Sequence, residues 1–154
     1  MSAHSDILIK MEQYTDGWKA NNDLRHIFLS CYRLMTANMM EAIDRDEFHD
    51  TKWVDKLLGL FSDYYFDGLE CYECGKVNPV VWQQTHNITI EKELHEVQYL
   101  MMGVNAHINY DLVLTLYDML APEWNSLSET ARRNRYEDHC HVNDIIAATI
   151  DKVQ

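Results

Sequence analysis

Apolar residues recur along the chain at three- and four-residue spacing, in stretches separated by polar breaks, and this periodicity predicts five or six helices. Ser5 caps a first helix over residues 5–20, with Ile7, Met11, Tyr14 and Trp18 as its apolar stripe. Residues 21–23 form a break. A second helix over 24–44 carries Phe28, Leu29, Tyr32, Met35, Thr36, Met39 and Ile43 at helical spacing. Asp50 then caps a third, whose Trp53, Leu57, Phe61, Tyr64, Tyr65 and Leu69 face inward until Gly75 ends it. Pro79 opens a short helix over 80–86 anchored by Trp82, and residues 87–90 fit either a helix or an extended segment. A long helix over 91–120 stops at Pro122, and a last one spans 128–153.

The apolar run from Val97 to Leu116 is interrupted by Asn105, His107, Asn109 and Asp111. An unpaired amide, imidazole or carboxylate costs a few kcal/mol to bury, so these groups must be either satisfied or used. At ~100° per residue, with Val104 as zero, His107 lies near −60° and Asp111 near −20°, on the core-facing stripe. Thr115 falls on the same stripe, and its hydroxyl can bond back to the Asp111 carbonyl. Asn105 and Asn109 lie at roughly +100° and +140°, so they are expected to address a different neighbouring helix. In the last helix Asp138 shares the inward face with Val142 and Thr149, while Asn143 sits on a flank.

Three readings follow from His107, Asp111 and Asp138. A His and an Asp four residues apart can ligate one metal from one helical face, with Asp138 as a third donor and His139, His141, His49 and Asp50 in reserve; zinc or iron would suit such a set. Without a metal, a carboxylate bonded to His107 orients the imidazole and makes it a general acid or base. Tyr65 becomes an auxiliary donor where its hydroxyl approaches His107. The third reading is a closed hydrogen-bond network that sets helix register.

Composition narrows the setting. The chain has 154 residues with only five Gly and two Pro, which suits one all-α domain over residues 1–154. Its formal net charge of −12 opposes phosphate backbones and anionic membrane surfaces, so neither nucleic acid nor membrane is an expected partner. No basic stretch leading into an apolar one opens the sequence, which reads as cytoplasmic. Cys31, Cys71, Cys74 and Cys140 read as thiols. The Cys71 and Cys74 pair has zinc-knuckle spacing but lacks a clear second ligand pair. His26, His86 and His95 sit among polar neighbours and read as exposed or helix-end histidines.

From about Arg25 to Gln154 the chain resembles a family of uncharacterised bacterial helical domains. Phe28, Tyr32 and Thr36 carry that resemblance on the second helix, Phe48-His-Asp50 before the third, and Phe61, Tyr65 and Trp82 farther on. Leu100-Met-Met-Gly-Val-Asn-Ala-His-Ile-Asn-Tyr-Asp-Leu112 resembles its signature and Asp138-His-Cys-His-Val-Asn143 its closing motif. The resemblance singles out Asp50, Tyr65, Asn105, His107, Asn109, Asp111, Asp138 and Asn143, and implies no particular activity. A fainter similarity, to zinc-dependent helical phospholipases and nucleases, rests on the His-x-x-x-Asp pair alone.

The expectation is a bundle of five or six helices whose buried central helix carries His107, with Asp138 brought close to His107 and Asp111. The corresponding function is a small-molecule enzyme using His107, Asp111, Asp138 and Tyr65, with Asn105, Asn109 and Asn143 positioning the helices. The alternative is a non-catalytic binding or interaction module built on the same residues. An enzyme needs a cavity of several hundred Å³ reaching His107; the structural reading needs His107 sealed and fully paired.

Overall fold

The computed structural model describes residues 3–76, 79–91 and 93–153, with side chains described from Asp6 to Thr149. Six helices and no strand occur among these residues. They are α1 (Ala3–Ala20), α2 (His26–Asp44), α3 (Thr51–Glu73), α4 (Val80–Glu91), α5 (96–120) and α6 (Glu129–Val153). No helix among the described residues is long and apolar enough to cross a membrane.

Local chemistry explains where the helices stop. Asn22, Asp46 and Gly75 adopt left-handed φ of 54°, 55° and 63° after α1, α2 and α3. At each, the next residue bonds back across the last turn: Asp23 N to Trp18 O, Glu47 N to Ala42 O and Lys76 N to Cys71 O. Only a left-handed residue permits this closure, which Gly, Asn and Asp adopt at least cost. Asp50 caps α3 as expected, its carboxylate accepting from Trp53 N at 3.0 Å.

Two boundaries differ from the periodicity reading. α4 continues through the ambiguous 87–90 segment to Glu91. Its buried threonines are accommodated because Thr85 and Thr89 donate their hydroxyls to the carbonyls of Val81 and Thr85, each at 2.8 Å. The chain then leaves the helix at 93–95, so α5 begins at Glu96 rather than at Glu91. Two bonds hold that entry: His95 N to Gln98 Oε1 at 2.9 Å and Leu94 N to the Tyr99 hydroxyl at 2.8 Å.

α2 holds the centre, packing on α1, α3, α5 and α6. The core has two halves. One gathers Met11, Trp18, Phe28, Leu29, Tyr32, Phe61, Tyr65 and Trp82. The other gathers Met39, Phe48, Trp53, Leu57, Leu58, Met119 and Val142. α5 turns His107 and Asp111 into the core while Val97, Met101, Val113 and Tyr117 on its other side stay exposed. Gly103 lets α5 approach α2, since a Cβ there would stand 2.3 Å from Phe28 Cγ.

Candidate functional site

The site begins with an irregularity in α5. Residues His107–Asp111 form a π-helical turn, closed by Leu112 N–H bonding to the His107 carbonyl five residues back. A turn this wide is disfavoured in a continuous helix and is found mostly where side chains have a task. Here it sits between two regular segments, Glu96–Ala106 and Leu112–Leu120. The Thr115 hydroxyl donates to the Asp111 carbonyl at 2.8 Å, as the sequence suggested.

His107 and Asp111 meet within that turn, Nδ1 to Oδ2 at 2.8 Å, both buried. Trp82 of α4 adds its indole N–H, 3.0 Å from each Asp111 oxygen. As a carboxylate Asp111 can only accept, which suits the Trp82 N–H and requires a proton on His107 Nδ1. That arrangement assigns the His107 proton to Nδ1 and leaves Nε2 a bare lone pair. Burial pushes the imidazole pKa below its ordinary value, and the Asp111 hydrogen bond and charge only partly oppose the shift. That direction favours the neutral ring.

Aromatic rings clamp the imidazole. Phe61 stacks on it at 3.7 Å between centroids and 10° between planes, and Tyr32 meets it edge-on at 4.2 Å. Nε2 nevertheless has no hydrogen-bond partner among the described residues, and neither do the Tyr32 hydroxyl and Thr36 Oγ1. The Tyr32 hydroxyl lies near those of Ser62 and Thr36 without reaching hydrogen-bond geometry, and its burial pushes the phenol pKa far up. Buried unpaired atoms also occur elsewhere, Trp53 Nε1 and His86 Nε2 among them, but these three belong to side chains that line one hollow.

Two hollows border His107. A groove of about 470 Å³ between α2 and α5 is lined by Phe28, Cys31, Met35, Leu100, Val104 and Ile146, together with Tyr32 and His107. Exposed Val97 and Met101 form part of its rim. An inner chamber of about 60 Å³ lies where the two core halves meet, lined by Thr36, Leu57, Phe61, Val142 and Asn143 among others. Tyr32, Met35, His107, Ile108 and Ile146 line both, so a single layer of side chains separates them. Asp111 lines neither hollow; the His107 side chain lines both, with its Nε2 buried.

The other expected site residues lie elsewhere. Asp138 is buried and inward-facing, but its oxygens accept from His49 N at 2.8 Å and Asp50 N at 3.0 Å. Those amides precede α3, whereas His107 stacks on Phe61, eleven residues later and so ~16 Å along the helix. Asp138 thus belongs with Arg135, which donates to Asp50 at 2.7 Å, and not with His107. Asn105 and Asn109 are exposed and bond to each other at 2.7 Å, so they do not tie α5 to a neighbour. Asn143 is exposed yet borders the inner chamber.

Tyr65 places its ring 5.8 Å from His107, edge to face. Its phenol feels the Arg25 charge, and Tyr65, Arg25 and His86 line a separate hollow of about 10 Å³. Tyr32, whose hydroxyl lies near those of Ser62 and Thr36, is the tyrosine that lines both His107 hollows. His86 is buried rather than exposed, stacked on Trp82 at 5.3 Å, and burial lowers its pKa to about 4.

The metal reading does not fit these donors. His107 Nδ1 and the Asp111 carboxylate are spent on each other and on Trp82, leaving Nε2 as one free donor. No group of three His, Cys, Asp or Glu side chains able to hold a metal ion occurs among the described residues, and Cys31, Cys71, Cys74 and Cys140 are free thiols.

Comparison with known families finds that residues 5–154 match the model described as a family of unknown function (DUF5995). No curated protein and no solved structure matches the chain.

Proposed function

The chain belongs to DUF5995, a family without an assigned activity, and we propose that it is an acid–base enzyme acting on an apolar small molecule, with His107 as the proton-accepting group. One observation carries this reading: a buried, carboxylate-oriented imidazole leaves Nε2 unpaired, and the same side chain lines a groove of about 470 Å³. Asp111 has two tasks in this scheme. It holds the imidazole in the Nδ1–H tautomer, and it stabilises the imidazolium formed when Nε2 takes a proton. Trp82 keeps Asp111 in place by donating to both oxygens. The apolar walls exclude water, which strengthens these interactions at the reacting atom.

A substrate-independent probe tests the reading. An uncharged benzisoxazole opens when a base removes one ring C–H proton: the N–O bond breaks, its electrons pass to oxygen, and the phenolate absorbs visible light. The expected result is turnover that falls by about 100-fold in His107→Gln, within the usual range for a positioned base, and follows the deprotonation of one group titrating below pH 6.5. Equal rates in wild type and His107→Gln would contradict it.

A further inference from the structure

We infer that the molecule recognised at this site is uncharged and carries a hydroxyl group, with its hydrocarbon body in the groove between α2 and α5 and its hydroxyl against His107 and Tyr32. The inference rests on the reading of His107 as the proton-accepting group and specifies what that group meets.

Charge is decided by the walls. Among the described residues, no Lys, Arg, Asp or Glu lines the groove or the inner chamber. An anion would find no countercharge there and would meet the field of Asp111 one imidazole away. A cation would be stripped of water against apolar side chains with no carboxylate in contact. Carboxylates, phosphates and ammonium groups are thereby disfavoured, and the exposed rim formed by Val97 and Met101 is apolar as well.

Hydrogen-bond complementarity selects the polar group. His107 Nε2 can only accept and is buried without a partner among the described residues, while the hydroxyls of Tyr32 and Thr36, which lie close to each other, both donate and accept. A ketone or ether would take a proton from Tyr32 but leave Nε2 unmet. A hydroxyl donates to Nε2 and accepts from Tyr32 at once. The inner chamber, about 60 Å³, has room for a group of this size and adds Thr36 to its polar contacts. Met35 lies in the layer shared by the two hollows, and its unbranched side chain can move aside at low cost.

The test compares 1-octanol with octanoate, equal in length and different in head group, by calorimetry on the full chain at pH 7.5. The expected result is octanol binding at least about tenfold tighter than octanoate, with Tyr32→Phe reducing octanol affinity by about fivefold, the effect of one neutral hydrogen bond. Tyr32→Phe removes only a hydroxyl, near those of Ser62 and Thr36, and urea denaturation of the variant checks that the fold is kept. Val104→Trp fills the groove from a partly exposed position and should abolish octanol binding. Octanoate binding as tightly as octanol, octanol affinity unaffected by Tyr32→Phe, or no binding of either compound would overturn the inference. The benzisoxazole assay separates the two ideas: His107-dependent ring opening without octanol preference removes the ligand class alone, and octanol preference without ring opening removes the base alone.

Discussion

His107 and Asp111 bond to each other across a single π-helical turn, 2.8 Å from Nδ1 to Oδ2, and Trp82 closes the far side of the carboxylate. Everything else about the site depends on this pair, because it decides which imidazole nitrogen is left without a proton.

Asp111→Asn should break the pair without changing its shape. The Asn oxygen can keep the Trp82 N–H, while its NH₂ faces His107 Nδ1, which can accept from it only by moving the ring proton to Nε2. Urea denaturation should show a loss of about 1.5 to 3 kcal/mol, typical of losing a hydrogen bond to a charged group. Ring opening of the benzisoxazole should fall with it.

Gly103→Ala tests the approach of α5 to α2. The added Cβ would lie 2.3 Å from Phe28 Cγ and 2.7 Å from Phe28 Cβ, too close for the ring tip alone to yield. The helices must separate, and thermal unfolding should report a loss of about 1 to 3 kcal/mol.

Acid should destabilise the protein in a window set by its buried histidines. His86 has its folded pKa lowered from 6.5 to about 4 by burial, and His107 is shifted in the same direction for the same reason. Below pH 6.5 the unfolded chain binds these protons first, so stability present above 6.5 is lost as pH falls towards 4, where the His86 contribution is exhausted. For His86 this amounts to about 3 kcal/mol, from ~1.36 kcal/mol per pKa unit. Chemical denaturation at several pH values should show a shallower decline for His86→Phe than for wild type.

Asp138→Asn separates architecture from chemistry. One carbonyl oxygen cannot serve the amides of both His49 and Asp50, so stability should fall by about 1 to 3 kcal/mol. The rate of benzisoxazole opening should not change. A rate loss with preserved stability would return Asp138 to the site.

Helix periodicity made the all-α fold, the inward turn of His107 and Asp111, the Asp50 cap and the Thr115 back-bond legible, because each depends on residues within about one turn of one another. The missed features depend on distant ones. Asp138 was correctly placed on an inward face, but angular position says nothing of height along a neighbouring helix, and it packs in the half of the core with Val142 and Phe48. The donation from Trp82 to Asp111 spans 29 residues and has no local signature. The π turn has none either, and a uniform 100° step passes over it. Tyr32 and Thr36, one turn apart on α2, were visible as family-motif residues, and a search for polar groups at core spacing on α2 would have found them. The angles of Asn105 and Asn109, on a flank away from His107 on the helix wheel, predict contact with a different neighbouring helix. In the folded chain that flank faces solvent.

The central claim is that His107 is a neutral base whose Nε2 carries no proton. Two-dimensional ¹⁵N–¹H NMR of the imidazole measures this directly at pH 7.5. The structure predicts the Nδ1–H tautomer, an unprotonated Nε2, and an imidazole pKa below 6.5. An Nε2–H tautomer, or a doubly protonated ring at that pH, would contradict it.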